Sequence, residues 1–67
     1  MPEYYAAARV KHEAWPALEA VVKEQITKAL AEKGVTEVVF DPLVDLSLVP
    51  GRRVFAYQIV GRGFAEP

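Results

Sequence analysis

His12, Glu37, Asp41, Asp45 and Arg62 are the side chains whose types could support acid–base, metal or electrostatic chemistry. Chemistry requires them to converge, and their spacing argues against it. If Asp41 and Asp45 share a strand they lie on one side of it, four residues apart, and at the usual rise that is roughly 13 Å, too far to share one metal ion. Arg62 is expected to form a salt bridge with Asp41 or Glu37. Histidine is the residue type suited to acid–base work at physiological pH, but no cysteine or serine lies near His12 and it falls at a strand-to-helix junction, so it reads as a surface histidine. No nucleophile–base pair or carboxylate dyad can be assembled. The chain is therefore not expected to be an enzyme, and no catalytic or metal-ligating residue is assigned.

Three further constellations invite a ligand. Gly61-Arg62-Gly63-Phe64 superficially suggests a phosphate loop or an RNA-binding element, yet it ends a strand instead of joining a strand to a helix, so the dinucleotide-binding context is missing. Opposite bulky residues, its two glycines make room for packing. Arg52 and Arg53, with Arg9 and Lys11, could touch phosphates, but eight Lys and Arg stand against nine Asp and Glu, a net charge of -1. Nucleic acid and anionic membrane surfaces are not expected partners. Trp15, Tyr4 and Tyr57 could stack on a planar ligand, although aromatics at core positions need none.

These residues must be held by a chain of 67 residues, 52% hydrophobic and 25% charged, a composition that folds. At this length only about 60% of the unfolded chain's surface can be hidden. Disulfides, a structural metal or oligomerisation usually reinforce so small a core. With no cysteine and one histidine, oligomerisation is the route left. Met-Pro-Glu-Tyr-Tyr at the N-terminus has neither a basic leader nor an apolar core, and no apolar run approaches the roughly 20 residues of a membrane span. A soluble chain is expected, with the cytoplasm as the default location.

Periodicity predicts a single α+β domain over 1–67 with the order β-α-β-β. The first strand covers about 3–11, with Tyr4, Ala6, Ala8 and Val10 on one face. A helix follows over about 14–33, where Trp15, Leu18, Val22, Ile26 and Ala29 recur at three and four residues. Glu19 with Lys23 and Glu24 with Lys28 support it as i, i+4 pairs. Pro16 suits its first turn and Gly34 its C-terminal cap. Val38, Phe40, Val44, Leu46 and Leu48 share even parity and predict one strand over about 35–49, interrupted by Pro42 and so placed at an edge. Pro50 and Gly51 make a turn, and the last strand covers about 53–64. The result is a three-stranded antiparallel sheet in the order 1-3-2, with the helix across one face.

Register follows from the turn. A proline cannot take the positive φ that a two-residue type I′ loop needs first, so a four-residue loop, Val49 to Arg52, is expected. Leu48 then opposes Arg53, Leu46 Phe55, Val44 Tyr57, Pro42 Ile59, Phe40 Gly61 and Val38 Gly63, all on the core face. The other face carries Tyr5, Ala7, Val39, Leu43, Val49, Val54, Ala56, Val60 and Phe64 among the polar Glu37, Asp41, Asp45, Gln58 and Arg62. An apolar face left uncovered marks an interaction surface. Tyr5, Val39, Leu43, Val54, Ala56, Val60 and Phe64 are the candidate interface.

The length, the element order and the run Tyr57, Gln58, Ile59 with Gly63, Phe64 and Glu66 following resemble dodecins, small flavin-binding proteins that assemble into hollow shells. The resemblance implies a flavin-binding assembly. The tryptophan that stacks on flavin in dodecins belongs to the second strand, where this chain has Val38, Val39 and Phe40, and no site residue is carried over. The leading expectation is a small non-enzymatic oligomeric or protein-binding module that self-associates, or binds another protein, through the second sheet face or the edge strand. No cofactor is expected outside the dodecin-like alternative. An accessory protein of a phage or mobile element that binds a host protein is the third class.

Overall fold

Alternating side chains over Glu3–Lys11 form a nine-residue strand, β1, whose inward residues run from Tyr4 to the buried Val10. The computed structural model describes all residues, 1–67. A 3-10 turn, His12–Ala14, leads into the helix α1, Trp15–Ala31, with Pro16 in its first turn. Val22, Ile26 and Leu30 are its buried stripe. Both i, i+4 pairs form, Lys23 to Glu19 and Lys28 to Glu24, each at 3.0 Å. Gly34 ends the helix at φ 87°. Its N–H bonds the carbonyl of Ala31, and the Val35 N–H reaches back to that of Leu30, a Schellman closure that only a left-handed residue permits cheaply.

Two short strands follow, β2 (Val39–Phe40) and β3 (Val44–Asp45), then a 3-10 turn over Leu46–Leu48. The last strand, β4, is Ala56–Phe64. Together they make a small α+β fold in which one helix packs against a four-stranded antiparallel sheet: β4 is central, β1 lies on one side, and β2 and β3 share the other. Three strands in the order 1-3-2 are expected from the sequence. The difference is that the second of them is cut in two.

Pro42 is where it is cut, and the consequence is a change of register. Phe40 lies opposite Gly61 as expected, but Val44 lies opposite Gln58 and Asp45 opposite Tyr57. Asp41, Pro42 and Leu43 thus face only Ile59 and Val60, a β-bulge of one extra residue. Past the bulge every side chain changes face. The expected pairs Leu46 with Phe55 and Leu48 with Arg53 do not form, because Leu46–Leu48 is a 3-10 turn and Arg53–Phe55 precedes β4. Asp45 caps that turn, its Oδ1 accepting the Ser47 N–H at 3.0 Å. A local side-chain acceptor has displaced the ladder. The Val49–Arg52 turn does form, with Gly51 at φ 78° and the Arg52 N–H bonded to the Val49 carbonyl.

The core is thin. Eleven of 67 residues are buried, and the main cluster is Val10, Val22, Ile26, Leu30, Val35 and Ile59. Gly61 lets Ile26, Phe40 and Val38 close over β4, and Gly63 does the same for Val35 and the backbone of Glu37. The Cα radius of gyration is 13.1 Å, and the thinnest dimension is 15 Å; about 11 Å would be usual for this length. The molecule is a slab of two layers, helix on sheet, with only the Leu46–Leu48 turn packed at one end of β4 and the rest of the sheet's far face open.

Candidate functional site

The far face is built by the rows of the ladder. Glu3 and Phe64 form the first row, Tyr5, Arg62 and Val39 the second, Ala7 and Val60 the third, and Arg9, Gln58 and Val44 the fourth. Tyr5 is 61% exposed, Val39 60%, Phe64 57% and Val44 45%, while Val60 is half-buried at the centre. Arg62 crosses this surface to Asp41 at 3.0 Å, the salt bridge that the sequence leads one to expect. The Tyr5 hydroxyl donates to Glu3. That hydrogen bond and the charge of Glu3 push the phenol's pKa up, with Arg62 opposing.

Three of the expected interface residues do not lie there as open apolar surface. Leu43, inside the bulge, turns to the helix side, where it lines a small pocket of about 220 Å³ with Trp15, Phe40 and Ile59. Ala56 is 8% exposed, at the end of β4 against which the 3-10 turn packs. Val54 lies before β4 and belongs to no strand. In exchange the register change delivers Val44, which the sequence places in the core. Beside Val39 and Phe64 a groove of about 490 Å³ is rimmed by Glu3, Glu37, Glu66 and Arg62.

A second constellation lies on the helix side, and sequence spacing does not reveal it. His12 Nε2 is 2.8 Å from Asp45 Oδ1, across 33 residues. The same oxygen accepts the Ser47 hydroxyl at 2.7 Å. The His12 ring lies on Tyr57, centroids 4.4 Å apart, and Trp15 meets Tyr57 at 5.9 Å. Tyr4 is at the other end of β4, opposite Gly63, so the three aromatics expected to stack a ligand are divided. Histidine, carboxylate and hydroxyl are all present, but both His12 and Ser47 point at the carboxylate. A nucleophile needs its hydroxyl on the base, and here it is not. The signal that could have found this cluster is Asp45-Leu46-Ser47, an Asx-type turn sequence, which withdraws Asp45 from a regular strand.

The Ser47 hydroxyl, then the Ser47 N–H and His12, hold the Asp45 carboxyl below its ordinary pKa, with burial opposing. A carboxyl whose pKa is lower folded than unfolded adds stability that is complete above the unfolded value, near 4. That contribution is lost as pH falls through the folded value. Between about pH 5 and about pH 2.5, the melting temperature of the wild-type chain is expected to fall more steeply than that of Asp45→Asn. Parallel profiles by circular dichroism would show that Asp45 plays no part.

Nowhere do three His, Cys, Asp or Glu side chains gather as a metal site would need, and no helix is long and apolar enough to cross a membrane. Comparison with protein-family models, curated proteins and solved structures finds no match for this chain.

Proposed function

We propose that the chain is a small non-enzymatic module that works by self-association, with the far face of its sheet as a contact surface. The exposure of Tyr5, Val39, Val44 and Phe64 on one face is the observation that carries this reading. Those side chains lie around a half-buried Val60, with Arg62 and Gln58 among them, and so many large exposed apolar side chains on one face mark a contact surface. Size supports it as well: a two-layer slab with so few buried residues gains from any contact that dries the uncovered layer. The Asp41–Arg62 pair runs through this face and would fix how two such faces meet, since a charge pair that loses its water must keep its partner.

Light scattering over a concentration series is the test. The wild-type chain is expected to run above its monomer mass of 7.4 kDa at concentrations on the order of 100 μM, the range in which modest interfaces associate. Val39→Glu places a charge beside Glu37 on the apolar face and is expected to shift the population towards smaller species. A chain that remains 7.4 kDa at every concentration overturns the reading.

A further inference from the structure

The outer edge of β1 is nine residues long, and it has none of the proline, glycine or bulge that usually blunt an exposed edge. β4 occupies only its inner side. Two bonds flanking the strand give the direction of its backbone groups: Ala65 N–H donates to the Pro2 carbonyl at 2.9 Å, and His12 N–H to the Phe55 carbonyl at 3.1 Å. Bonded and non-bonded pairs alternate along an antiparallel ladder. Tyr4, Ala6, Ala8 and Val10 therefore bond β4, and Glu3, Tyr5, Ala7, Arg9 and Lys11 aim their N–H and C=O groups outward.

We propose that a second copy of this chain takes that edge, the two β1 strands pairing antiparallel about a two-fold axis at Ala7 and joining two sheets into one. The proposal rests on the reading of the chain as a self-associating module and adds an edge contact to that of the far face. Outward groups can bond only outward groups, which leaves a choice of registers two residues apart. Centred on Ala7, Glu3 faces Lys11 of the other copy, Tyr5 faces Arg9, and about ten new backbone hydrogen bonds close. Centring on Ala6 would strand Lys11, and centring on Ala8 would strand Glu3. Opposite charges and an aromatic–cation pair on facing positions favour the Ala7 register. On the helix side of the seam Ala6 meets Ala8 and Tyr4 meets Val10, with no bulk in the middle.

The helix supplies an independent argument. Lys23 lies over the Phe40 ring at 5.6 Å, so that flank of α1 looks towards β2. At 3.6 residues per turn Leu18 and Val21 lie on the opposite flank, towards the open edge of β1, and both are exposed. A two-fold axis at the seam brings the two flanks towards one another and gives these residues the apolar cover that the single chain lacks.

Charge exchange tests the register. Within one chain Glu3 and Lys11 are eight residues apart in a strand, roughly 26 Å, so they can meet only between copies. Glu3→Lys alone and Lys11→Glu alone are each expected to weaken the dimer roughly tenfold or more by setting like charges opposite one another twice. An equimolar mixture of the two variants pairs Lys with Glu at every such position and is expected to recover a dimer, twice 7.4 kDa, by sedimentation equilibrium. Ala7→Pro removes an outward N–H without touching a bond to β4, and is expected to weaken the dimer at least tenfold with an unchanged circular dichroism spectrum. Assembly indifferent to all three variants but lost in Val39→Glu would overturn the edge contact and leave the module reading intact. A wild-type chain that is monomeric throughout overturns both.

Discussion

Gly63→Ala is expected to remove about 2–3 kcal/mol, much of the stability of so small a fold. A Cβ at this position meets the carbonyl oxygen of Glu37 and the Cγ1 of Val35 closer than any van der Waals contact allows. Neither can step aside cheaply. Moving the Glu37 carbonyl moves the backbone that leads from the Val35 bridge opposite Ala65 into β2. Overpacking commonly costs about 1–3 kcal/mol, and a backbone obstacle belongs at the top of that range. A core of this size rarely supplies more than about 3–5 kcal/mol in total. The smaller unfolded-state entropy of alanine returns only about 0.4–1 kcal/mol. Gly61→Ala is the internal comparison: its Cβ would meet Ile26 Cγ2 at 2.5 Å, Phe40 at 3.1 Å and Val38 at 3.2 Å, all side chains of the packed layer and none of them backbone, so the layer can shift where the Glu37 carbonyl cannot. It should keep a cooperative transition, lowered by roughly 4–8 °C for each kcal/mol. Equal melting temperatures for the two variants would refute the distinction.

Leu30→Ala should be at least as damaging. Leu30 is 2% exposed and is the largest side chain wholly inside the core, where only five other buried residues share its cluster. Truncating such a leucine costs about 2–5 kcal/mol through lost transfer energy and the cavity left behind, which is most of what the fold has. Its backbone carbonyl, which accepts the Val35 N–H, is untouched by the change, so the helix end is retained and the loss reports packing alone. Urea titration at fixed protein concentration is the measurement, because self-association adds to apparent stability by mass action. The midpoint should fall close to zero denaturant. A loss below about 1 kcal/mol would mean that Leu30 is not central to the core.

How far the fold can be read in advance depends on what each residue reports. Phe40 opposite Gly61 was legible because parity and glycine placement agree on one register, and Gly34 and Gly51 were legible because a turn or helix end demands positive φ. Pro42 announces an interruption but not its length: a proline says that a ladder bond is missing, not that an extra residue has been inserted. All the errors downstream of it share that origin. Parity places Val44 inward and both Leu43 and Asp45 on the far face; in the structure Val44 pairs with Gln58 on the far face, Leu43 turns to the helix side and Asp45 meets His12. Leu46 and Leu48 have the alternation of a strand, yet the Asp45–Ser47 bonds are local and need no long loop to close before they form, so they win. The far face itself was legible as apolar, since one helix cannot cover two sides. Its membership past the bulge was not.

The bulge at Asp41–Leu43 also makes residue count, more than residue identity, decide what this sheet edge shows to the outside. Deleting one residue from that segment would leave β4 in place on β1, yet it would invert the parity of β3, withdrawing Val44 from the surface and separating Asp45 from His12. Substitutions there are local events; insertions and deletions act like frameshifts written in three dimensions. Related chains that keep the same outer surface must therefore keep the spacing between Phe40 and Val44, even where they keep neither the proline nor the leucine between them.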